Sequence, residues 1–294
     1  MKWTKSFLDY LRYERNDSVQ TIVAYGEDLS QFEEFVCKQS ENLSLENVDS
    51  NLVREWEMSL MNAKYSSASV NRKLSTLRAF YKFLLRKGVI TSDPLGKVIG
   101  PKKKKPLPVF LKEKEINELL DDVDFGKGFS AVRDHLIIEM FYLTGMRRAE
   151  LIGLQDGDVD VSSQTIKVNG KRNKQRLIPF GEELKDAIEQ YVKLRDESVC
   201  RMDQSFFVDE KGKPLYPVKV YHIVKENLSK VVTLKKRSPH VLRHTFATAM
   251  LNHDATLSAV KELLGHSSLA TTQIYTHTTF EELKKAYKQA HPRA

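Results

Sequence analysis

The sequence contains little cysteine and no long apolar run. Cys37 and Cys200 are the only cysteines among 294 residues, and they form no CxxC pair. A disulfide framework or a thiolate metal site therefore has no support. No stretch approaches the roughly 20 consecutive apolar residues of a membrane-spanning helix, and the N-terminus carries charges where a signal peptide is apolar. We expect a cytoplasmic protein that is not inserted in a membrane.

Acidic residues are missing from one long segment. Residues 58–92 contain no aspartate or glutamate but seven basic residues, namely Lys64, Arg72, Lys73, Arg78, Lys82, Arg86 and Lys87. The whole chain has a net charge of +8 and a pI near 9.2. This balance favours a polyanionic partner, although a mildly basic enzyme without such a partner has a similar charge.

The apolar pattern and the prolines predict two domains and a linker. Four segments of residues 1–88 repeat apolar side chains at helical spacing, which predicts a four-helix N-terminal domain. Residues 89–110 contain DPLG and PKKKKPLP, where prolines block helix formation and like charges resist collapse. We interpret them as a linker. Residues 111–294 then form a second, mainly helical domain.

The fourth predicted helix, residues 66–87, has a basic face. Val70, Leu74 and Leu77 can face the core. The cations expected outside the core are Arg72, Lys73, Arg78, Lys82 and Arg86. A face without acids is unusual for solubility alone, so we predict that it contacts DNA, with a solvated face as the alternative. The linker lysines Lys102, Lys103, Lys104 and Lys105 are predicted to follow a phosphate backbone.

A small β-structure interrupts the helices of the second domain. Residues 159–168 and 176–179 alternate enough to form short strands, and the polar segment between them begins with Asn-Gly, which is typical of an exposed hairpin. The cations of this hairpin, Lys171, Arg172, Lys174 and Arg176, are candidates for phosphate contact. The predicted fold class is therefore mainly α with a small β-hairpin or sheet (α+β).

Four side chains in residues 240–275 can reach one phosphate. His240 and Arg243 share a helix face, and Gly265 ends a predicted helix just before His266. The guanidinium matches phosphate oxygens, while the phenol of Tyr275, with an ordinary pKa of about 10, needs nearby cations or a base before it can attack. Attack by tyrosine leaves a phosphotyrosine that preserves the bond energy for religation.

Four motifs together resemble the tyrosine recombinase (phage integrase) family, most closely its Xer-type members. They are TGMRRAEL at 144–151, GKRNKQR at 170–176, HVLRH at 240–244 and LGHSSLATTQIYTH at 264–277. The resemblance covers essentially the whole chain. It implies an N-terminal SAM-like core-binding domain that clamps DNA opposite a catalytic domain, and a site-specific recombinase that needs neither metal nor nucleotide cofactor.

The resemblance also implies roles for individual residues. Arg147, Arg243 and His266 would bind the scissile phosphate, with His240 assisting as a base and Lys171 acting as the acid. Tyr275 would be the nucleophile, leaving a 3′-phosphotyrosine and a free 5′-hydroxyl that attacks a partner duplex to form a Holliday junction. Arg148 occupies a variable motif position and is expected to be a groove or surface cation. Arg172 stands where glycine is common, which weakens the choice of Lys171 over Lys174, Arg172 and Arg176.

The end of the chain carries an apolar stripe at helical spacing, formed by Phe280, Leu283, Tyr287 and Ala290. Such a stripe needs a partner. The resemblance implies that the helix at about 280–290 inserts into a neighbouring subunit of a tetramer on two double-stranded core sites. The tetramer would contain this chain alone or together with a related recombinase. Packing against its own catalytic domain is the alternative.

Three other functions remain open from the residues alone. A type IB topoisomerase uses nearly the same residues but religates the original strand. A zinc hydrolase using His240, His244, His266 and His277 is disfavoured because no glutamate follows the first histidine. A non-catalytic DNA-binding regulator does not need Tyr275 and both arginines. The sequence also leaves open chromosome dimer resolution, integration or excision of mobile elements, and inversion.

Overall fold

The computed structural model describes residues 2–39, 43–102, 109–170, 175–233, 237–265 and 277–293; of residues 2 and 277–281 it describes only the backbone. The chain divides into two compact units, Met1–Pro106 and Leu107–Ala294. This division lies within the stretch that the sequence predicts as a linker. Part of that stretch packs on the first unit, because Leu95 and Val98 are buried in its core.

The first unit is helical, and the predicted helices are confirmed. Its elements are α1 (Lys2–Asp9), which continues as a π-helical turn (Tyr10–Glu14), α2 (Val19–Gln39), α3 (Ser50–Asn62) and α4 (Ser67–Arg86). The side chains of Asp49 and Ser66 accept backbone N–H groups at the starts of α3 and α4, which defines where these helices begin. Phe7, Phe32 and Trp56 are fully or almost fully buried in the shared core.

The second unit is built around α6 (Phe129–Thr144), which is buried on nearly every side and packs against α8 and α10. The other elements are α5 (Glu113–Asn117), α7 (Arg148–Ile152), β1 (Val159–Asp160), β2 (Thr165–Asn169), β3 (Gln175–Pro179), α8 (Glu182–Ser198), α9 (Pro217–Val231), α10 (Pro239–Asn252), α11 (Leu257–Leu264) and α12 (His277–Ala290). The strands form an antiparallel sheet in the order β1-β2-β3, with Ile166 opposite Ile178. This confirms the mainly helical fold with a small sheet. In the described ranges, no helix is long and apolar enough to cross a membrane.

The C-terminal helix α12 packs against its own domain in this structure. Leu283, Tyr287 and Ala290 are buried in a cluster with side chains of α10 and α11, including Phe246 and Leu263. In the single chain, the described part of the apolar stripe of this helix is therefore covered by its own catalytic domain and not by a neighbouring subunit. Exchange between subunits requires α12 to leave this place.

Candidate active site

The site begins where α6 ends. Gly145 has a left-handed conformation with φ of 59°, and a Cβ at this position would lie 2.5 Å from Phe246 and 2.8 Å from Leu264. A side chain is therefore excluded both by the backbone and by the lack of space. The tight approach brings the end of α6 against α10 and α11, and Arg147 follows two residues later.

Arg147 is the residue before the first turn of α7. Its backbone N–H donates to Oε2 of Glu150 and its Nη1 donates to Oε1, both at 2.7 Å, while its Nη2 donates to the carbonyl of Gly265 at 3.1 Å. The side chain remains 37% exposed. The guanidinium is thus held by the protein but still accessible, as a phosphate-binding arginine requires.

Arg243 is buried on α10. Its Nη1 donates to the carbonyl of Gly145 at 2.5 Å and its Nη2 to the carbonyl of Leu264 at 2.7 Å. Burial, and then the positive charge of Arg147, lower the pKa of Arg243 to about 10. The side chain remains charged near neutral pH, and its hydrogen bonds among the described residues go to neutral carbonyls, so an entering phosphate would stabilise its charge.

Three guanidinium groups donate hydrogen bonds to the C-terminal end of α11. The successive carbonyls of Leu263, Leu264 and Gly265 accept from the side chains of Arg176, Arg243 and Arg147, respectively. The last carbonyls of a helix have no partner within the helix, and they carry partial negative charge. Arginine side chains satisfy them here, and this brings two candidate phosphate ligands together at one place.

Glu150 is the carboxylate of this cluster. It is buried and accepts from Arg147 and, at 3.0 and 2.9 Å, from both terminal nitrogens of Arg176. Burial acts to raise its pKa, but the hydrogen bonds and charge of Arg176, together with Arg147, lower it overall. With Arg243 included, one carboxylate faces three guanidiniums, so the cluster has an excess of positive charge.

The predicted position of Arg176, on an exposed hairpin where it could contact DNA, is wrong. Its side chain is 5% exposed and points inward, to Glu150 and Leu263. It contacts the active-site framework instead. The motif at 144–151 gave no role to Glu150, although its position three residues after Arg147 is the spacing of a helix-capping pair.

His240 lies in the first turn of α10, on the same helix as Arg243, and is exposed. The pKa of His240 is lowered, mainly by partial burial of the imidazole. The positive charges nearby lower it further, namely those of His244, Arg243, Arg148 and Arg147. The neutral imidazole is therefore favoured at neutral pH. A neutral imidazole can accept a proton, which suits the predicted base.

Several predicted site residues lie outside the described residues. They are Lys171, Arg172 and Lys174 between β2 and β3, His266 and Tyr275 between α11 and α12, and Lys103, Lys104 and Lys105 in the predicted linker. Their roles remain predictions. The described framework nevertheless extends to Gly265, the residue directly before His266.

Comparisons with protein families identify the family of both parts of the chain. The Phage integrase family profile matches residues 109–282, and the profile of the phage integrase N-terminal SAM-like domain matches residues 4–88. The chain belongs to the phage integrase family. This tyrosine recombinase is an enzyme that cleaves and rejoins DNA strands in site-specific recombination.

Similar proteins match the recombinase over nearly its whole length. Tyrosine recombinase XerC of Listeria innocua is 41% identical over 99% of this chain and 97% of its own, and that of Chlorobaculum tepidum is 37% identical over 100% and 95%. The crystal structure of XerH site-specific recombinase bound to difH substrate, in a pre-cleavage complex, is 25% identical, with a TM-score of 0.70 over 96% of this chain and 83% of that chain. XerA recombinase is 27% identical with a TM-score of 0.51 over 100% of both chains.

The N-terminal unit of the recombinase presents a basic stripe on α4. Arg72, Lys82 and Arg86 are exposed at helical spacing. Arg78 is half-buried, and its Nη2 donates to the carbonyl of Val98 at 2.9 Å. Lys102 is exposed further along the chain. In the second unit Arg148 is also exposed, and its Nη1 donates to the carbonyl of Pro217 at 3.3 Å.

The predicted position of Lys73 on this outer face is wrong. Lys73 is only 7% exposed, and its Nζ donates to Asp28 at 2.9 Å. The fully buried carboxylate of Asp28 also accepts from Thr76 and from both terminal nitrogens of Arg72. A buried carboxylate needs charged partners, so Lys73 turns inward while Arg72 reaches it from the surface.

Proposed function

We propose that the recombinase cleaves DNA by attack of the Tyr275 Oη on a scissile phosphate held by Arg147 and Arg243. The observation that carries the proposal is the arrangement of these two arginines on neighbouring carbonyls at the end of α11. Each is held in place by backbone or carboxylate partners, and Arg147 remains accessible. Donors fixed in advance stabilise the charge that develops on phosphate oxygens without reorganising during the reaction.

The proposed cleavage step forms a bond between Tyr275 Oη and phosphorus and breaks the bond from phosphorus to the 5′ oxygen. His240, favoured in its neutral form, accepts the phenol proton. Lys171 donates a proton to the leaving 5′ oxygen, and His266 adds a donor to the phosphate. The product is a 3′-phosphotyrosine with a free 5′-hydroxyl, and reversal with the hydroxyl of a second duplex joins the exchanged strands.

We further propose that the enzyme acts as a tetramer on two duplexes, each carrying a short double-stranded core site, in the cytoplasm. The assembly contains this chain alone or together with a related recombinase. The apolar face of α12 supports exchange between subunits, because the same side chains that pack on α10 and α11 here can occupy the equivalent place on a neighbour. Of the biological roles, chromosome dimer resolution fits best with the full-length similarity to the XerC proteins.

The proposal is tested by trapping the covalent complex. Genomic DNA fragments are incubated with the enzyme, and the protein is then denatured with detergent. The DNA that remains covalently attached to the protein is sequenced. We expect recurrent short sites with a cleavage point at a fixed position. On a nicked duplex of such a site, the wild-type enzyme should accumulate the covalent adduct. Tyr275→Phe should form no adduct but should still bind the site.

The same sites distinguish a recombinase from a topoisomerase. Paired sites should exchange strands, and plasmids without a site should stay supercoiled. Efficient relaxation of any supercoiled plasmid, without strand exchange, would favour the type IB topoisomerase instead.

A further inference from the structure

Arg176 contacts the framework of the candidate active site from inside the protein. It lies on β3, and its side chain is 5% exposed. Its Nε donates to the carbonyl of Leu263 at 2.7 Å, and its two terminal nitrogens donate to the two carboxylate oxygens of Glu150. This bidentate pairing fixes the guanidinium plane relative to both α7 and the end of α11.

The partner of Arg176 is also the partner of Arg147. Oε1 of Glu150 accepts from Nη1 of Arg147 at 2.7 Å while Oε2 accepts its backbone N–H, also at 2.7 Å. Burial acts to raise the pKa of Glu150, and Arg176 provides the largest opposing contribution. Without Arg176, protonation of the buried carboxyl becomes more favourable, and a protonated Glu150 holds Arg147 less firmly.

Arg176 also lies directly against Gly265. A Cβ on Gly265 would lie 3.0 Å from Nη1 of Arg176 and 3.2 Å from its Cδ. The carbonyl of Gly265 accepts from Nη2 of Arg147 at 3.1 Å. The buried side chain of Arg176 therefore packs against Gly265, the residue before His266. Arg176 contacts both groups that accept hydrogen bonds from the Arg147 guanidinium, namely Glu150 and the peptide of Gly265.

We propose that Arg176 is a positioning residue for phosphate activation. It keeps Glu150 ionised and supports the end of α11, so that Arg147 is fixed for the scissile phosphate. This rests on the proposed role of Arg147 in phosphate binding. Arg176 itself is buried and contacts protein groups, so its loss should slow cleavage while leaving DNA affinity nearly unchanged.

The test compares single-turnover cleavage of two nicked core-site duplexes, one with a normal scissile phosphate and one with a methylphosphonate at that position. The methyl group removes a negative charge, so the reaction depends less on a well-placed guanidinium. We expect Arg176→Met to cleave the normal phosphate about 100-fold more slowly than wild type. On the methylphosphonate its cleavage rate should fall only about tenfold relative to wild type. Arg176→Lys, which retains the charge without the bidentate fork, should fall between Met and wild type.

Two controls separate positioning from general damage. Lys167→Met removes a cation of the adjacent strand β2 that pairs with Asp158, and it should cleave both substrates like wild type. Because Arg176 acts in part through Glu150, the loss in the double variant Arg176→Met/Glu150→Gln should be smaller than the product of the two single losses.

The possible results decide between the claims. Equal losses on both substrates, losses that multiply in the double variant, or wild-type cleavage by Arg176→Met would each overturn the positioning role. If Arg176→Met does not fold, the same comparison with Arg176→Lys decides. Failure of wild-type enzyme to cleave either duplex would instead overturn the proposed function.

Discussion

Arg243 and Arg147 donate to adjacent peptide carbonyls, those of Leu264 at 2.7 Å and Gly265 at 3.1 Å. Arg147 directly precedes α7 and Arg243 lies on α10, about a hundred residues further along the chain, yet they meet at one helix end. Since that end lies directly before His266 in the sequence, the groups proposed to bind the phosphate come from one peptide segment and the two arginines that contact it.

Replacement of either arginine should slow catalysis. Arg147→Ala and Arg243→Ala should each reduce the rate of adduct formation by at least about 100-fold, because a fixed donor to the developing charge is lost. The measurement is single-turnover cleavage of a nicked core site, with DNA affinity measured in parallel. Lys167→Ala is the matched control, since Lys167 lies on β2 and pairs with Asp158. Cleavage at the wild-type rate by Arg243→Ala would contradict the site.

His240 should titrate below the ordinary value for histidine. Partial burial, followed by neighbouring positive charges, lowers its pKa. The neutral base therefore persists to a lower pH than usual and is lost as the pH falls through the lowered pKa. An NMR titration of the free protein should give a midpoint below about 6.5, and Arg148→Gln should move it upward. A midpoint above that value would remove the support for a neutral imidazole.

The stripe on α4 should account for part of the salt dependence of DNA binding. Lys82→Gln with Arg86→Gln should weaken binding and reduce the salt slope by about 0.9 for each lost phosphate contact. Lys5→Gln with Lys38→Gln removes the same charge from exposed positions on α1 and α2, and its slope should change less. Equal slopes for the two double variants would leave the stripe as a solvated face.

Lys73 provides the contrast to the α4 stripe. Lys73→Met leaves the buried Asp28 with one fewer cation, so the free energy of unfolding should fall by about 3 kcal/mol, with the salt slope of DNA binding unchanged. Urea denaturation measures the first quantity. An unaltered unfolding midpoint together with a reduced salt slope would restore Lys73 to the DNA-binding face.

Truncation after Thr279 should separate DNA binding from assembly. The shortened chain loses most of α12 and uncovers Phe246 and Leu263, so its melting temperature should fall. It should still bind one site but fail to pair two sites or exchange strands. Full synapsis and recombination by this chain would show that α12 serves only its own domain.

Local patterns allowed most of the fold to be predicted. The helix expected at residues 66–87 is observed at Ser67–Arg86, because apolar periodicity and a Ser66 cap mark it, and Gly265 ends α11 as expected. Two short motifs also drew attention to Arg147, His240 and Arg243, whose catalytic roles stay predictions.

The two predictions that the structure contradicts concern basic residues whose partners are distant in sequence. Lys73 turns inward to Asp28, which is 45 residues away, and Arg176 turns inward to Glu150 and Leu263, which are 26 and 87 residues away. A basic side chain beside other basic side chains has the same sequence pattern whether it faces solvent or a buried carboxylate. Only the packing of other elements decides between the two.

The most direct test of the account identifies the tyrosine that carries the DNA. A covalent complex formed on a nicked core site is digested with nuclease and protease, and the peptide that retains a nucleotide is sequenced by mass spectrometry. We predict the nucleotide on Tyr275. Tyr287 is fully buried and its pKa is raised by that burial, which opposes its use as a nucleophile. A nucleotide on Tyr287 or Tyr221, or no covalent adduct on a bound and cleavable site, would contradict the account.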